Sequence, residues 1–417
     1  MPDEEETGPL PTASAGHLDI GLLLAAVEAA APVEAIDTLA AALLDMLDAE
    51  QVGFLIADFS GDALIRLGHS RSRSTTRRIG QETAERVPLA GTVAGDALAS
   101  QTVKVTRDGD VFWLHAPVTS RGEAVGVLEL SVPTPPSEET IAGVAQAAHA
   151  LAYIVIANRR YTDLFEWGQR SVPLSLAAEI QHRLLPGAYT CEAGQFTLAA
   201  WLEPAGEVGG DTFDFSLGRD SLFFSITDAM GHTVQSALLA TLLVGSIRNA
   251  RRRGAGLAEL ARLGDEALHE HAGGSQFVTG QVANIDLVTG TAQIVNAGHP
   301  LPLRIRNGVV EEVPLDPDPP FGALPGVTYN VQTLPLEPGD RIMFVTDGIL
   351  ERQAGQVDIR ASLLACRDDH PREAVQHLIQ ATVEASGGTL RDDATLLCLD
   401  WHGGPIRERD AESGANR

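Results

Sequence analysis

Lysine is nearly absent: Lys104 is the only one among 30 Lys+Arg, set against 56 Asp+Glu for a formal net charge of −26. A field of that sign and size argues against nucleic-acid binding and against polybasic attachment to a membrane, and it is compatible with cations as cofactors. Cysteine is scarce too. Cys191, Cys366 and Cys398 are an odd number with no CxxC spacing, which excludes a disulfide framework and a thiolate zinc knuckle and fits a reducing compartment. No stretch approaches the roughly 18–20 uninterrupted apolar residues of a membrane span; Ser236 to Ile247 comes closest. The opening Met-Pro-Asp-Glu-Glu-Glu is the opposite of a cationic signal peptide. The expectation is a soluble, cytoplasmic protein.

What is present is enough for several cores. The chain has 417 residues, 44% of them hydrophobic, too many for one ordinary domain. Residues 1–17 and 403–417 read as polar, solvated tails. From Ile20 to about Leu47 the apolar residues recur at helical spacing. Five strand-like runs follow (Val52 to Ala57, Ala63 to Leu67, Thr102 to Thr106, Val111 to Val118, Ala124 to Val132), several separated by turn signals such as Asp108-Gly-Asp110. Ser137 is a candidate N-cap with Glu138 and Glu139 in the first turn. Beyond it Ile141, Val144, Ala148, Leu151 and Val155 form a seam, suited either to a helix pair or to packing on the domain's own sheet. A second helical segment, Ser175-Leu-Ala-Ala-Glu-Ile-Gln-His-Arg-Leu-Leu-Pro186, precedes a region of successive strands and two helical stretches, Ser236 to Arg252 and Pro371 to Ala385. Strands that follow one another without a helix between argue for antiparallel pairing.

Four acidic settings in this last region share a pattern. Gly209-Gly-Asp211 ends in an acid after paired glycines; the apolar runs Leu222 to Thr227 and Ile342 to Thr346 end in Asp228 and Asp347; Asp392-Asp393 leads straight into a strand. Singly, Asp347-Gly348 and Gly-Gly-Asp211 are ordinary turn sequences. Together they are not. An acid at the end of an apolar strand costs several kcal/mol without a partner, and carboxylates gathered in one volume must protonate or be neutralised by cations. Hard divalent ions with oxygen ligands, Mg²⁺ or Mn²⁺, suit such a set; zinc does not, for want of a His pair or a Cys cluster.

The ordered set Glu207-Val-Gly-Gly-Asp211, Asp228-Ala-Met-Gly-His232, Phe277-Val-Thr279, Asn296-Ala-Gly-His-Pro300, Val345-Thr-Asp-Gly-Ile-Leu-Glu351 and Asp392-Asp-Ala-Thr395 resembles the metal-dependent protein phosphatase (PPM) family, in its bacterial SpoIIE/RsbU branch. The resemblance spans about Phe196 to Trp401. It implies an α+β fold whose C-terminal domain is an αββα sandwich of two antiparallel sheets flanked by helices. The preceding order of elements, with Gly122-Glu-Ala-Val-Gly-Val-Leu-Glu-Leu130, resembles a GAF domain. The expected layout is therefore a tail at 1–17, a GAF-like sensor at 18–160, a helical linker at 161–187 that serves in this branch as a regulatory switch, a phosphatase domain at 188–402 and a tail at 403–417.

Carried over by position, the resemblance makes Asp211, Asp228, Asp347 and Asp392 the catalytic acids holding two Mn²⁺ or Mg²⁺ ions. Asp228 bridges them and Ala229 adds a backbone carbonyl; Asp393 is either a ligand or a neighbour supporting one. It implies hydrolysis of phosphoserine or phosphothreonine by a metal-bridged hydroxide. The implied substrate is a phosphorylated STAS-domain protein, under control of a small-molecule or protein signal at the sensor of a homodimer. Cys366 stands at Cys-x5-Arg spacing from Arg372, but the intervening Arg-Asp-Asp-His-Pro carries two acids and no glycine, so it does not read as the phosphate loop of a thiol phosphatase. Two departures from the pattern are Thr233 after Gly-His232 and Gly280 after Phe-Val-Thr279. His232 and His299 are candidates for a general acid, and equally for turn histidines bonded to the backbone. Arg251-Arg-Arg253 ends a helix, where cations suit the dipole. The competing reading is a catalytically silent sensor or scaffold that keeps the fold, against which the complete acid set argues. A sensor histidine kinase lacks both its phospho-acceptor helix and its ATP lid.

Overall fold

The computed structural model describes residues 18–59, 61–67, 69–70, 85–169, 174–205, 209–231, 234–350, 358–388 and 390–403. The expected tail at 1–17, all but Gly403 of the tail at 403–417, and Glu207, Val208, His232, Thr233 and Glu351 among the motif residues lie outside them. Two compact units emerge, one from residues up to 120 and 124–171, the other from 121–123 and 172 onward.

The first unit begins with α1 (Ile20–Ala29), capped by Asp19 accepting from the Leu22 amide, and α2 (Ala35–Met46). One continuous helix was expected here. Pro32 opens a short 3₁₀ turn between the two, because proline lacks the amide hydrogen an α-helix interior needs. The strands are β1 (Gln51–Ala57), β2 (Ala63–Arg66), β3 (His69–Ser70), β4 (Glu85–Pro88), β5 (Lys104–Asp108), β6 (Val111–Ser120) and β7 (Glu123–Val132), with α3 (Val93–Ser100) between β4 and β5. They form one sheet in the order β4-β2-β1-β7-β6-β5, with β3 also paired to β1. The sequence pattern misses β3, β4 and α3, which are too short to show a period.

Next come α4 (Glu138–Asn158) and α5 (Leu164–Gly168). Ser137 caps α4 as expected, accepting from the Thr140 amide. Val144, Ala148, Leu151 and Val155 are buried with Phe54, Ile56, Leu114 and Leu128 of the sheet and Leu39 and Leu43 of α2. The seam is thus filled by its own unit. One expectation is corrected: α4, not Ser236 to Ile247, is the helix among the described residues long and apolar enough to cross a membrane by length and composition. Its alternating three- and four-residue apolar spacing serves a core-facing stripe.

The second unit starts with α6 (Leu176–Leu184), β8 (Thr190–Glu192), β9 (Phe196–Glu203), β10 (Asp211–Leu217) and β11 (Ser221–Ala229). After α7 (Val234–Arg252) and α8 (Leu257–Ala272) come β12 (Val278–Asp286), β13 (Thr291–Ala297), β14 (Leu303–Arg306), β15 (Val309–Glu312), β16 (Gln332–Pro335) and β17 (Asp340–Val345). The chain closes with α9 (Asp347–Leu350), α10 (Ile359–Ala365), α11 (Pro371–Ala385) and β18 (Ala394–Trp401). Two sheets result, β10-β11-β12-β13-β16 and β15-β14-β17-β18-β9-β8, with antiparallel pairing in both.

Alternation along the strands sorts three apolar layers. Phe213, Phe224, Ile226 and Ile294 of one sheet meet Phe196, Leu198, Phe344, Leu397 and Trp401 of the other in the interior. Phe223, Val282 and Val295 on the outer face of the first sheet pack under Leu239, Leu243 and Ile247 of α7 and Leu260 and Leu268 of α8. Met343, Val345, Leu396 and Cys398 on the far face of the second pack under Leu363 of α10 and Val375, Leu378 and Ile379 of α11. This is the αββα sandwich that the resemblance implies. Phe224 and Phe344 touch edge to face across the interior, centroids 4.9 Å apart. Phe224→Ala should therefore cost about 3–5 kcal/mol, measured as a lowered denaturant midpoint for this unit; an unchanged midpoint would contradict the sandwich packing.

Candidate metal centre

The acids arrive at one end of the sandwich because strands of both sheets end there. Asp211 opens β10 and is the register partner of Asp228, next to last in β11. β17 pairs with β18, Val345 opposite Leu396, so the residues after the first and before the second are neighbours: Thr346 and Asp347 on one side, Asp392 and Asp393 on the other.

The glycines explain how the ends come so close. Asp347-Gly348 is not a hairpin turn; it opens α9. A Cβ on Gly348 would stand 2.0 Å from the Asp393 carbonyl oxygen, so this backbone contact excludes every other residue. Nor are Gly209 and Gly210 there for a turn. A Cβ on Gly209 would lie 2.9 Å from the Ala177 carbonyl of α6, and one on Gly210 would lie 2.7 Å from the Ala229 carbonyl. The missing side chain at 210 leaves the Ala229 oxygen clear.

Hydroxyls tie the two sheets together at the acids. Thr346 and Thr395, beside β17 and in β18, each donate to Asp211 Oδ2 at 2.7 Å, and the Thr395 amide donates to Thr346 Oγ1 at 2.9 Å. Asp393 is 1% exposed and its carboxylate accepts from Ala205 N at 2.9 Å, Gly210 N at 3.1 Å and Gln181 Nε2 at 2.6 Å. Asp392 is half-buried and Asp347 exposed. Thr346, Thr395 and Gln181 are missing from the sequence reading. The two threonines stand inside quoted motifs, and Gln181 inside a quoted helix, but neutral side chains give no charge signal.

Electrostatics distinguish the acids. Burial, then the fields of Asp228 and Asp393, hold the Asp211 carboxyl well above the usual carboxylate range, against the pull of the two threonine hydroxyls. Burial, then Asp347 and Asp392, push Asp228 up to about 7, offset in part by a hydrogen bond to Asp211. Among the described residues, no three His, Cys, Asp or Glu side chains close around a single point as they stand; the cluster is open, with Asp347 at its rim. Its donor set is carboxylate, hydroxyl and carbonyl oxygen, and mutual repulsion raises its affinity for positive charge. That chemistry fits hard divalent cations.

The other candidates separate from the acids. His299 is buried, its Nδ1 3.0 Å from Thr279 Oγ1 and its amide bonded to Asn296 Oδ1 at 2.9 Å. Burial pushes its imidazole down to about 3, so it is neutral near pH 7 and has no proton to spare for an acid's role. His232 lies outside the described residues. Arg251 is paired with Asp214 at 3.2 Å and lies over the Phe223 ring, 4.7 Å from its centroid. All three cysteines are buried, and burial holds the Cys366 and Cys398 thiols above their usual range. A thiolate nucleophile is not on offer.

The model of the family described as stage II sporulation protein E (SpoIIE) matches residues 218–402, which contain Asp228, Asp347, Asp392 and Asp393. That match covers somewhat less than half of the chain, and it is a likeness to the SpoIIE branch of the metal-dependent protein phosphatases. Asp211 lies just before the matched span and joins it through its register with Asp228. Relatives include Protein IcfG of Synechocystis, 24% identical over 215 residues, with 45% of this chain and 34% of that protein covered. Another is the phosphoserine phosphatase RsbU of Bacillus subtilis, 22% identical over 235 residues, covering 54% and 69% respectively. A solved structure of the RsbU and RsbW domains of a Mycobacterium tuberculosis protein is 25% identical with a TM-score of 0.45, covering 51% of this chain and 63% of that one. The chain thus spans about a third of IcfG and two thirds of RsbU.

The raised carboxyls of this SpoIIE-type unit have a thermodynamic consequence. A group that binds its proton more tightly when folded makes stability fall as pH rises from the unfolded value, about 4, to the folded one. Stability contributed by protonated Asp228 is thus full below about pH 4 and lost by pH 7 and above. Without metal, wild type should lose stability relative to Asp228→Asn between pH 5 and 8, and Mn²⁺ should cancel that loss. Parallel pH profiles of thermal unfolding for the two proteins would contradict the coupling.

Proposed function

We propose that the chain is a protein phosphatase that hydrolyses phosphoserine or phosphothreonine with Mg²⁺ or Mn²⁺, two ions per site. The observation that carries this is the burial of Asp211 beside Asp228, with the neutral hydroxyls of Thr346 and Thr395 donating to one of its oxygens. Asp211, Asp228, Asp347, Asp392 and the Ala229 carbonyl are the groups that would hold the ions. When bound, such cations stabilise charge on phosphoryl oxygens and make water a nucleophile at neutral pH.

The chain's own residues do the rest. Thr346 and Thr395 fix the direction of one Asp211 oxygen, and Gly210 keeps the Ala229 carbonyl unobstructed. Asp228 stands where the other carboxylates exert their field. Asp347 and Asp392, the more exposed pair, form the rim that a phosphorylated side chain meets first. Neither His299 nor a cysteine supplies a nucleophile or a proton, so direct attack by water without a phosphoenzyme is the chemistry this set favours.

A phosphoserine substrate agrees with the phosphoserine phosphatase activity for which RsbU is named, and a phosphorylated STAS-domain protein is the substrate implied by the sequence resemblance. The first unit, an antiparallel sheet with helices on both faces, supports a GAF-like sensor that governs the activity. A cytoplasmic homodimer with residues 18–160 as sensor, 161–187 as linker and 188–402 as catalytic domain completes the reading. Buried free cysteines accord with that compartment.

Hydrolysis of p-nitrophenyl phosphate and of a phosphoserine protein tests the enzyme reading. Turnover should require Mn²⁺ or Mg²⁺ and should fall to the metal-free background in Asp228→Asn. Wild-type rates in that variant, or no metal-dependent turnover by the full chain, would overturn it in favour of a silent scaffold.

A further inference from the structure

We propose that Gln181 and Asp393 are a positioning pair that sets the cation affinity of the acidic cluster; the inference rests on the metal-site reading above. Gln181 is 1% exposed on α6. Its Nε2 donates to the Asp211 carbonyl oxygen at 2.8 Å and to Asp393 Oδ2 at 2.6 Å. Asp393 in turn accepts from the Gly210 amide at 3.1 Å and, through Oδ1, from Ala205 N at 2.9 Å. The backbone before and after the Asp211 side chain is therefore gripped, the amide of Gly210 by Asp393 and the carbonyl of Asp211 by Gln181. The Asp211 carboxylate is meanwhile held by threonines from the other sheet.

A glutamine this deeply buried costs free energy unless its amide is used. Leucine would fill similar space yet leave Asp393 Oδ2 and the Asp211 carbonyl short of a donor. The helix that carries Gln181 has only nine residues, too few to be stable by itself. It is seated by specific bonds: Arg248 Nη2 of α7 donates to its Leu184 carbonyl at 2.6 Å, and Arg248 is also paired with buried Asp214. The place of α6 thus sets the place of Asp211. Asp393 acts through the backbone and through Gln181, and Asp392 keeps the outward position.

A polarity swap tests the pair. Gln181→Glu sets carboxylate against carboxylate, and Asp393→Asn sets amide against amide. The double variant restores one donor and one acceptor between the two side chains, reversed, with the net charge of the site unchanged, while the Asp211 carbonyl still lacks its donor. Mn²⁺ affinity by calorimetric titration should weaken about 10–100-fold in each single variant, the usual effect of losing a group that supports a ligand. It should recover in part in the double variant, above the level of the two losses combined. Single variants that unfold cooperatively yet bind Mn²⁺ like wild type would overturn the proposal, as would a double variant as weak as the two losses combined. If a single variant does not fold, Gln181→Ala carries the same titration: weakened Mn²⁺ binding supports the pair, wild-type binding refutes it. Wild type that binds Mn²⁺ without turnover would remove the phosphatase reading and leave the pair standing; normal turnover with unaffected variants would do the reverse.

Discussion

Repulsion among carboxylates is the constraint around which the second unit is arranged. Two antiparallel sheets bring Asp211 and Asp228 side by side, with Asp347 and Asp392 close enough to raise the proton affinity of Asp228. Such a cluster is a liability for folding. The surrounding structure offsets it with close backbone contact at Gly210 and Gly348, hydroxyl donors at Thr346 and Thr395, and several donors onto Asp393. None of these neutralises the charge. They hold it in place, and neutralisation is left to protons or to cations.

That division of labour explains why the site draws on both sheets. A single hairpin could place Asp211 opposite Asp228. The threonines that orient Asp211 belong to the other sheet, so the orientation exists only when the sandwich interior, with Phe224 against Phe344, is formed. Folding and the readiness of the acids to bind ions are in this sense one event. Their dependence on α6 through Gln181 adds a helix outside the sandwich to the same network.

Much of this was legible in the sequence, and the reasons differ by residue. Asp228 and Asp347 stood out because an acid after a run of buried strand residues is expensive and needs a cause. The antiparallel pairing of the second unit followed from successive strand-like runs without a helix between. Asp347-Gly348 was legible as a site but not as a conformation: its glycine answers to the Asp393 carbonyl, a contact made through the pairing of β17 with β18 that no local pattern carries. Asp392 and Asp393 are adjacent and chemically identical, so only burial and donors tell them apart. Gln181, Thr346 and Thr395 act by direction rather than charge, which composition does not record. In the first unit, the apolar period of α4 was visible while its partner was not, since a seam reads the same whether a sheet or a helix covers it. The break at Pro32 and the small elements β3, β4 and α3 were lost for want of periodicity.

The most direct test of the account is the proton count on metal binding. Mn²⁺ titrated calorimetrically near pH 6.5, in buffers of different ionisation enthalpy, should release protons from wild type and fewer from Asp228→Asn. Mn²⁺ uptake with no proton release, or no uptake at all, would contradict the claim that the buried acids trade protons for cations.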